Sequence, residues 1–508
     1  MDRVISLREH FPHCRYYAPS ESDWTVSRVV FDPLECRVGD WLALGEGCED
    51  PAAAACAGLA RGARGILTSQ LLPLPLPQCI VADVEGVAAK LLDLLEGSPG
   101  ESLFIIGVVG GDGKTTTSLL TAGLLRSEGY RTAYDTDLGC SDGVLQQVAE
   151  HRQIELQSIA RFLSDARDAQ CAAVVLELSR DFLLSSAAAS LPIDLLVILG
   201  DTAAVDDATS GSRSPDHDSL LDRALGQLRS GGVAVVSADS RAAIAAADRA
   251  AVPMLTFSMQ RDADITAKIF DQQPGETTLM VTAGDVTAVM ETSLTGPAMA
   301  PCHLAALTVG TLMEIPLHRC AEHLRAIRKI PGRMQRVAGD GGPQIVLDRA
   351  GNSKRLAAVL RGIRRECGSG KLWLVAAVTG AFPDTELARC GRIAEKFADH
   401  TVVTSAAGGK QGFLAAAHEW LDGVRHPALP RLVADREVAL RWVLEHASAD
   451  DTVIIAGGWP TDWPLLERAG LDGELELVAE LQNERNANSQ QSSAPPVLLP
   501  HPALHPWS

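Results

Sequence analysis

The segment 103–125 constrains the fold most, because its character changes from strand to helix at a glycine-rich turn. The apolar run Leu103–Ile106 predicts a buried strand, and 118–125 predicts a helix. Between them lies the sequence GVVGGDGKTTT at 107–117. This order of strand, glycine loop, lysine, hydroxyl and helix is typical of a phosphate-binding loop in a parallel α/β sheet. The alternative is a glycine turn that only packs the helix on the strand.

The residue types of this loop suit a nucleoside triphosphate. Glycines let backbone N–H groups turn toward phosphate oxygens, and the helix N-terminus adds a partial positive charge. Lys114 would neutralise the β and γ oxygens, and the hydroxyl of Thr115 would ligate Mg²⁺. The sequence therefore predicts that the chain binds ATP and Mg²⁺. The candidate nucleotide-binding residues here are Gly110, Gly111, Asp112, Gly113, Lys114, Thr115 and Thr116.

Two carboxylates further along the chain are candidate partners of this loop. Glu177 lies near the end of a predicted strand over 172–178, where a carboxylate could ligate the Mg²⁺ of a nucleotide. The alternative is an ordinary surface glutamate at a strand end. Asp181 would share a helical face with Glu177 if that segment is helical. Lys114 and Glu177 are thus the predicted catalytic residues, and Thr115, Glu177 and Asp181 the predicted metal ligands.

The chain has 508 residues, which favours about three domains. The predicted boundaries are 1–100, 101–330 and 331–482, followed by a polar and then proline-rich tail at 483–508 that we expect to be disordered. Each of the three units alternates short apolar runs with helical stretches, as parallel α/β sheets require. The predicted strands of the second and third units are 103–109, 172–178, 195–199, 233–236, 344–347, 372–378, 401–404 and 452–456. In the first unit we expect a helix over 52–59 and strands near 39–44, 62–67 and 81–84.

Charge and composition exclude several classes of partner. The formal net charge of −19 argues against nucleic acid and anionic membrane surfaces. No apolar run is long enough to cross a bilayer, and the first residues do not resemble a signal peptide. The 11 cysteines form no C-x-x-C pair, which suits a reducing compartment. We therefore expect a cytoplasmic protein.

A Pro-Gly break near 330 marks a predicted hinge before the third unit. Arg333, just after it, could reach a γ-phosphate or a ribose. Asp348, at the end of a predicted strand, could accept a hydrogen bond from a ribose hydroxyl. Surface residues held in salt bridges would look the same in sequence.

Several segments, taken in order, resemble the Mur ligase family, in particular the branch that adds the third residue of the peptidoglycan stem peptide. The loop at 107–117 is similar to the family's G-T-x-G-K-[ST] loop. The other similar segments are DPLECRVGDWLAL at 32–44, ELS at 177–179, PGRMQ at 331–335, LDRAGN at 347–352, DRE at 435–437 and DTVIIAG at 451–457.

The resemblance implies a three-domain α/β architecture with a central P-loop sheet and a Rossmann-like C-terminal domain. It also implies an ATP-dependent ligase, in which a substrate carboxylate is phosphorylated and an amine then displaces phosphate. The implied partners are a UDP-muramoyl peptide and an amino acid, with no prediction of oligomeric state.

Other positions depart from the family pattern, and they leave an alternative open. That alternative is a catalytically inactive, nucleotide-binding relative with a regulatory or partner-binding role. A plain P-loop ATPase is a third interpretation. Pro33-Leu34 stands where the family has a uridine-binding Ser-Arg, and Asp181 stands where it has a metal-binding histidine. The family's carbamylated lysine has no counterpart in 200–207 or 223–225, and its adenine contact is replaced near 301–303. Residues 405–408 replace the D-N-P-R motif that holds the amino acid, and 457–460 replace the late G-K-G-H-E motif.

Overall fold

The computed structural model describes residues 3–19, 23–45, 47–148, 156–200, 216–273, 275–296, 299–337, 342–350, 352–379, 384–406, 412–457 and 470–492. The chain divides into two compact units, Met1–Arg328 and Lys329–Ser508. No helix in these ranges is long and apolar enough to cross a membrane.

The N-terminal part of the first unit is a small sheet with helices packed on it. Its elements are β1 (Ile5–Ser6), α1 (Leu7–His10), β2 (Arg15–Tyr17), β3 (Thr25–Val26), β4 (Val29–Val30), β5 (Trp41–Leu44), α2 (Pro51–Ala60), β6 (Gly65–Thr68), β7 (Gln78–Ile80) and α3 (Val84–Leu95). The sheet order is β2-β7-β6-β5-β4, parallel except for β2, and β1 pairs separately with β3.

The predicted strand at 81–84 is wrong, because this segment leads into a helix. The strand β7 ends at Ile80, and α3 begins at Val84. The side chain of Asp83 accepts a hydrogen bond from the backbone N–H of Gly86, 2.8 Å away. An aspartate that caps the first free N–H groups in this way starts a helix, although the neighbouring valines suit a strand.

The rest of the first unit is built on one large sheet. Its elements are β8 (Phe104–Val109), α4 (Lys114–Glu128), β9 (Thr132–Thr136), β10 (Gly139–Ser141), β11 (Gln146–Val148), α5 (Leu156–Asp168), β12 (Ala173–Glu177), α6 (Arg180–Leu184), β13 (Ile193–Ile198), α7 (Asp216–Leu225), β14 (Leu228–Ser237), α8 (Arg241–Ala250), β15 (Met254–Ser258), β16 (Ile265–Gln273), β17 (Glu276–Ala283), β18 (Val286–Thr292), α9 (Met299–Leu312) and α10 (Leu317–Ala326).

The strand order of this sheet is β11-β10-β9-β12-β8-β13-β14-β15-β16-β17-β18. The strands from β9 to β16 in this order are parallel, and both ends are antiparallel. Ile105, Val174 and Leu196 on the central strands are fully buried, as expected where helices cover a parallel sheet on both faces. The carboxyl ends of β8 and β12 therefore lie side by side.

The second unit is a six-stranded sheet with helices. Its elements are β19 (Gln335–Val337), β20 (Gln344–Asp348), α11 (Ser353–Glu366), β21 (Leu372–Val378), α12 (Asp384–Phe397), β22 (His400–Ser405), α13 (Phe413–Asp422), β23 (Arg431–Leu432), α14 (Arg436–His446), β24 (Thr452–Ala456) and α15 (Gly470–Ser492). The order β19-β20-β24-β21-β22-β23 is parallel except for β19. The sequence predicts this parallel layout, and the family resemblance implies its Rossmann-like form.

The prediction that disorder begins at 483 is wrong, because α15 continues through Ser492. Glu474 on α15 pairs with Arg436 at 2.8 Å, and both side chains are buried. This ion pair holds the C-terminal helix on α14. Residues 493–508 lie outside the described ranges.

Candidate functional site

The loop between β8 and α4 has a backbone that requires glycine at two positions. Gly110 has φ of +149° and Gly113 has φ of +89°, values that residues with side chains rarely adopt. A Cβ atom on Gly113 would also lie 2.9 Å from the sulfur of Cys302 on α9. The helix α4 then begins with a bond of 2.8 Å from the N–H of Thr117 to the carbonyl of Gly113. Because these positions have no side chains, a ligand can approach the backbone of the loop closely.

Lys114 and Glu177 come together at the carboxyl edge of the sheet. Strands β8 and β12 are parallel neighbours in which Glu177 is in register with Val108, so Glu177 lies beside the start of the loop. The ammonium nitrogen of Lys114 is 3.8 Å from Oε1 of Glu177. The Glu177 side chain is 3% exposed and that of Lys114 is 20% exposed. The lysine is thus the more accessible partner of this ion pair.

Two further groups fix the carboxylate of Glu177. The hydroxyl of Thr115 donates to Oε1 at 3.1 Å, and the backbone N–H of Asp137 donates to Oε2 at 3.0 Å. Burial raises the pKa of Glu177, the nearby carboxylate of Asp137 acts in the same direction, and Lys114 opposes both. A positive or a negative charge placed at this edge of the sheet therefore shifts the pKa of Glu177.

These residues fit the Mg²⁺ that the sequence predicts. The hydroxyl oxygen of Thr115 and a carboxylate oxygen of Glu177 lie 3.1 Å apart. Mg²⁺ binds through one or two such protein ligands together with water and phosphate oxygens. In the described part of the chain, no group of three or more His, Cys, Asp or Glu residues is arranged to hold a metal without such help. The arrangement suits a metal that arrives with phosphate.

Asp181 does not share a helical face with Glu177. Glu177 ends the strand β12, whereas Asp181 lies in the next element, α6, which Ser179 caps by accepting from the N–H of Phe182. The sequence places Asp181 beside Glu177 only if both residues lie on one helix, and they do not. Asp181 is exposed, and its role as a metal ligand stays a prediction, as do the roles of Gly111, Asp112 and Thr116 in nucleotide binding.

The helix α9 packs against the underside of the loop and contains a buried histidine. The sulfur of Cys302 lies 3.8 Å from the carbonyl oxygen of Gly113. His303 is fully buried, with Nδ1 2.9 Å from the carbonyl of Met299 and Nε2 3.0 Å from the hydroxyl of Thr292. A carbonyl can only accept, so Nδ1 carries the proton. Burial lowers the pKa of His303 to about 4.

The predicted nucleotide contacts Arg333 and Asp348 lie in the second unit. Arg333 is 6% exposed, and its backbone N–H donates to the carbonyl of Ile330 at 3.1 Å. It sits between Gly332 and Met334, both of which have positive φ, +60° and +51°. The turn therefore has a defined and partly strained backbone.

Asp348 is paired within the second unit, and its role as a ribose acceptor stays a prediction. Its side chain is 0% exposed. The carboxylate accepts from the N–H groups of Met334 and Ala350 at 2.9 and 2.8 Å, and from two nitrogens of Arg355 at 3.0 and 3.4 Å. With four donors and no exposure, this carboxylate anchors the Pro-Gly-Arg turn to β20, and in this conformation it is not available to a sugar.

Sequence reasoning missed Asp137 and the contact of Cys302 with the loop. Asp137 follows β9, the strand beside β12, and the sequence analysis does not predict a strand there, so a search of predicted strand ends does not reach it. Cys302 carries no motif signal, since only the packing of α9 places it under Gly113. The departures noted within 201–207, 407–408 and 458–460 lie outside the described residues.

Comparisons with known proteins agree with this geometry. The profile of the family "Mur ligase, glutamate ligase domain" matches residues 332–458. The chain is 29% identical over 408 residues to a UDP-N-acetylmuramyl-tripeptide synthetase of Deinococcus radiodurans, covering 78% of this chain and 80% of the relative. It is 29% identical over 468 residues to a UDP-N-acetylmuramoyl-L-alanyl-D-glutamate–2,6-diaminopimelate ligase of Streptomyces avermitilis, covering 87% and 89% of the two chains.

Solved structures share the fold along nearly the whole chain. A UDP-N-acetylmuramoyl-L-alanyl-D-glutamate–2,6-diaminopimelate ligase superposes with a TM-score of 0.66 at 21% identity, covering 95% of this chain and 100% of the other. The MurF ligase of Thermotoga maritima, solved in complex with ADP, gives a TM-score of 0.61 at 17% identity, covering 91% and 98%. The three-domain α/β architecture expected from the sequence is confirmed.

Proposed function

We propose that the chain is a member of the Mur ligase family, to which it is similar over most of its length, and that it is an ATP-dependent ligase that joins a carboxylate of a peptidoglycan precursor to an amine. The single observation that carries the proposal is the convergence of Lys114, Thr115 and Glu177 at one edge of the central sheet. The relatives are named as synthetases and ligases, which favours this function over the inactive alternative. The proposed substrates are a UDP-muramoyl peptide and an amino acid.

The proposed reaction has two steps whose charges this site can balance. A carboxylate oxygen attacks the γ-phosphorus of ATP, which gives an acyl phosphate and ADP. The nitrogen of the amine then attacks the acyl carbon, loses a proton, and phosphate leaves with the electrons of the broken C–O bond. Both steps place negative charge on phosphoryl oxygens, so they need positive charge and N–H donors positioned in advance.

Lys114 supplies the positive charge. Its ammonium group lies 3.8 Å from Glu177, a distance at which the pair is held by charge rather than by a short hydrogen bond. The ammonium can therefore turn toward a phosphate without breaking a close contact. The backbone N–H groups at the start of α4 point in the same direction as the helix dipole and favour the same anion.

Thr115 and Glu177 would hold Mg²⁺. The metal would supply further charge neutralisation of phosphoryl oxygens when bound. Glu177 also keeps the Thr115 hydroxyl oriented through their 3.1 Å hydrogen bond. Burial makes the carboxylate harder to ionise, so a bound cation and the ionised form of Glu177 stabilise each other.

The proposal is tested by phosphate release and by ATP binding in the same preparations. The full chain is offered ATP, Mg²⁺, UDP-muramoyl peptides and a panel of amino acids, and we expect phosphate release that requires both the acid and the amine. Lys114→Ala removes a charged hydrogen-bond donor, so ATP affinity measured by calorimetry should fall about 10- to 100-fold. Lys90→Ala is the matched control, because Lys90 pairs with Asp93 on the exposed surface of α3.

Three outcomes would contradict parts of the proposal. Absence of saturable ATP binding to the wild type would remove its premise. ATP binding without phosphate release for any acid and amine would favour the inactive alternative. Phosphate release that survives Lys114→Ala unchanged would show that the catalytic centre lies elsewhere in the chain.

A further inference from the structure

The outer surface of α11 and α12 is strongly basic, although the chain as a whole is acidic. Residues 353–397 contain 9 Lys or Arg and 4 Asp or Glu, a formal charge of +5, whereas the whole chain has −19. Four exposed cations on these two helices form what we call the basic surface: Arg361, Arg365, Arg392 and Lys396. Three of them are arginines, which stay charged at any physiological pH.

Helical geometry arranges these side chains in two rows. Arg361 and Arg365 on α11 are four residues apart, and so are Arg392 and Lys396 on α12. The members of each row therefore lie on one helix face, about 6 Å apart along the axis. The Nε of Arg361 donates to the carbonyl of Ala357 at 3.0 Å, which holds this side chain along the outer surface of α11.

Contacts between the helices place the two rows side by side. Near the N-termini, the backbone N–H of Ser353 on α11 donates to Oε1 of Glu386 on α12 at 2.6 Å. Near the C-termini, Arg364 pairs with Asp399, which follows α12. The helices therefore run in the same direction and are adjacent at both ends. Because the axes of packed helices lie about 8–10 Å apart, the rows border one shallow groove.

No carboxylate in the described part of the chain pairs with the four cations of the basic surface. The glutamates next to them in sequence are bound elsewhere. Glu366 pairs with Arg336, and Glu395 accepts from the backbone N–H groups of Arg425 and His426. Like charges one turn apart destabilise a helix, so a bound anion would stabilise this surface.

The helix dipole explains only part of the basic surface. Cations in the last turn of a helix are stabilised by the carbonyl groups there, which accounts for Arg365 and Lys396. Arg361 and Arg392 lie one turn earlier, where this effect has largely faded. A role beyond helix stability is therefore needed for these two arginines.

The basic surface suits a short acidic segment better than an extended polyanion. In the described part of the chain, no large apolar side chain within 353–399 is exposed, so the anchors that hold membranes and single-stranded nucleic acids are missing. A bilayer or a DNA duplex would also extend onto the rest of an acidic protein. An acidic helix is about 10–12 Å wide with its side chains, which matches the spacing of the two rows.

We propose that the basic surface on α11 and α12 binds an acidic helical segment of a partner protein, with carboxylates spaced one turn apart on both of its flanks. Arginines would bind these carboxylates through paired hydrogen bonds. The cations lie in the C-terminal halves of α11 and α12, which lead into the starts of β21 and β22. They are thus away from the carboxyl edge where open α/β sheets bind small ligands, and the inference does not rest on the proposed function.

The test is a titration of a labelled peptide with the full chain, followed by fluorescence anisotropy at low salt. The probe is an alanine-based helical peptide whose glutamates occur in adjacent pairs every four residues, and the control peptide has glutamine in their place. We expect saturable binding of the acidic peptide, at least about tenfold tighter than that of the control and weaker as salt is added. Equal affinities, or no saturable binding of the acidic peptide, would overturn the inference.

Variants locate the binding surface. Arg361→Gln/Arg392→Gln removes one cation from each row, so the affinity for the acidic peptide should fall about fivefold. Arg365→Gln/Lys396→Gln should give a similar loss, which makes the result independent of how one variant folds.

Arg61→Gln/Arg261→Gln is the matched control, because it removes two exposed arginines from the first unit and changes the net charge equally. It should keep the affinity within about twofold. An equal loss in this control, or an unchanged affinity in both variants of the basic surface, would overturn the inference.

Competing anions and the ligase assay separate the remaining outcomes. Phosphatidylglycerol vesicles or duplex DNA that bind more tightly than the peptide, and lose this binding in Arg361→Gln/Arg392→Gln, would overturn the inference in favour of a phosphate-bearing partner. Peptide binding without phosphate release for any substrate would support this inference and refute the ligase function. Phosphate release without peptide binding would do the reverse.

Discussion

The buried His303 makes the first unit sensitive to acid, and the size of the effect follows from its surroundings. The ring is fully buried, and its two nitrogens are used by Met299 and Thr292 in the neutral form. Burial lowers the pKa from the ordinary 6.5 to about 4. In the unfolded chain the ring is solvated and titrates near its ordinary value. Between pH 4 and pH 6.5 the imidazole of His303 is therefore protonated in the unfolded state and neutral in the folded state.

The sign and magnitude follow by linkage. Stability from this group is fully present above pH 6.5 and is lost as the pH falls toward 4, because protonation favours the unfolded state there. The total effect is about 3 kcal/mol for a shift of this size. Between pH 7.5 and pH 5.5 the loss is about 1.3 kcal/mol, and this window stays above the isoelectric point near 5.1.

The assay is urea unfolding of the wild type and of His303→Asn at pH 7.5, 6.5 and 5.5. Carboxylates titrate in both proteins. The informative quantity is therefore the difference between the two proteins in how steeply the free energy of unfolding changes with pH. The free energy of unfolding of the wild type should fall by about 1.3 kcal/mol more than that of His303→Asn over this range. His446→Asn removes an exposed histidine and should keep the wild-type slope. Equal slopes for the wild type and His303→Asn would refute the reasoning.

Two further substitutions test the local arguments. Gly113→Ala should weaken ATP binding about tenfold or more by calorimetry, because the new Cβ meets Cys302 at 2.9 Å and the backbone has φ of +89°; an unchanged affinity would show that the loop adapts. Asp348→Asn removes the negative charge beside the guanidinium of Arg355 and replaces one accepting oxygen by a donor that faces a backbone N–H, so the free energy of unfolding in urea should fall by about 2–4 kcal/mol. A fall below about 0.5 kcal/mol would show that the Pro-Gly-Arg turn does not depend on this pair.

The sequence predicts the central strands of both sheets well. The strands 372–378 and 452–456 have the predicted bounds, because strands buried on both faces are continuous apolar runs between turn residues. The antiparallel strands β16 to β18 were missed. Their residues alternate, as where Leu279 and Val281 are buried and Met280 is partly exposed, and a search for parallel strands passes over such a pattern.

The residues of the candidate site also differ in whether the sequence alone can identify their roles. The loop and Glu177 could be found because a motif and a strand end are local features of the sequence. The role of Asp348 could not, since it depends on Arg355 folding back from the first turn of α11.

Asp348 and Glu386 show two different uses of a buried carboxylate at the same sheet edge. Asp348 has donors for both oxygens, which is how a fold fixes a backbone turn. Glu386 has a hydrogen-bond donor for Oε1 only, and its Oε2 lies 3.5 Å from Arg389, at ion-pair distance. A buried acceptor without a hydrogen-bond donor costs about 1–3 kcal/mol, so a carboxylate stabilises a fold more when both of its oxygens have donors. Asp348 is therefore the carboxylate on which the second unit depends more.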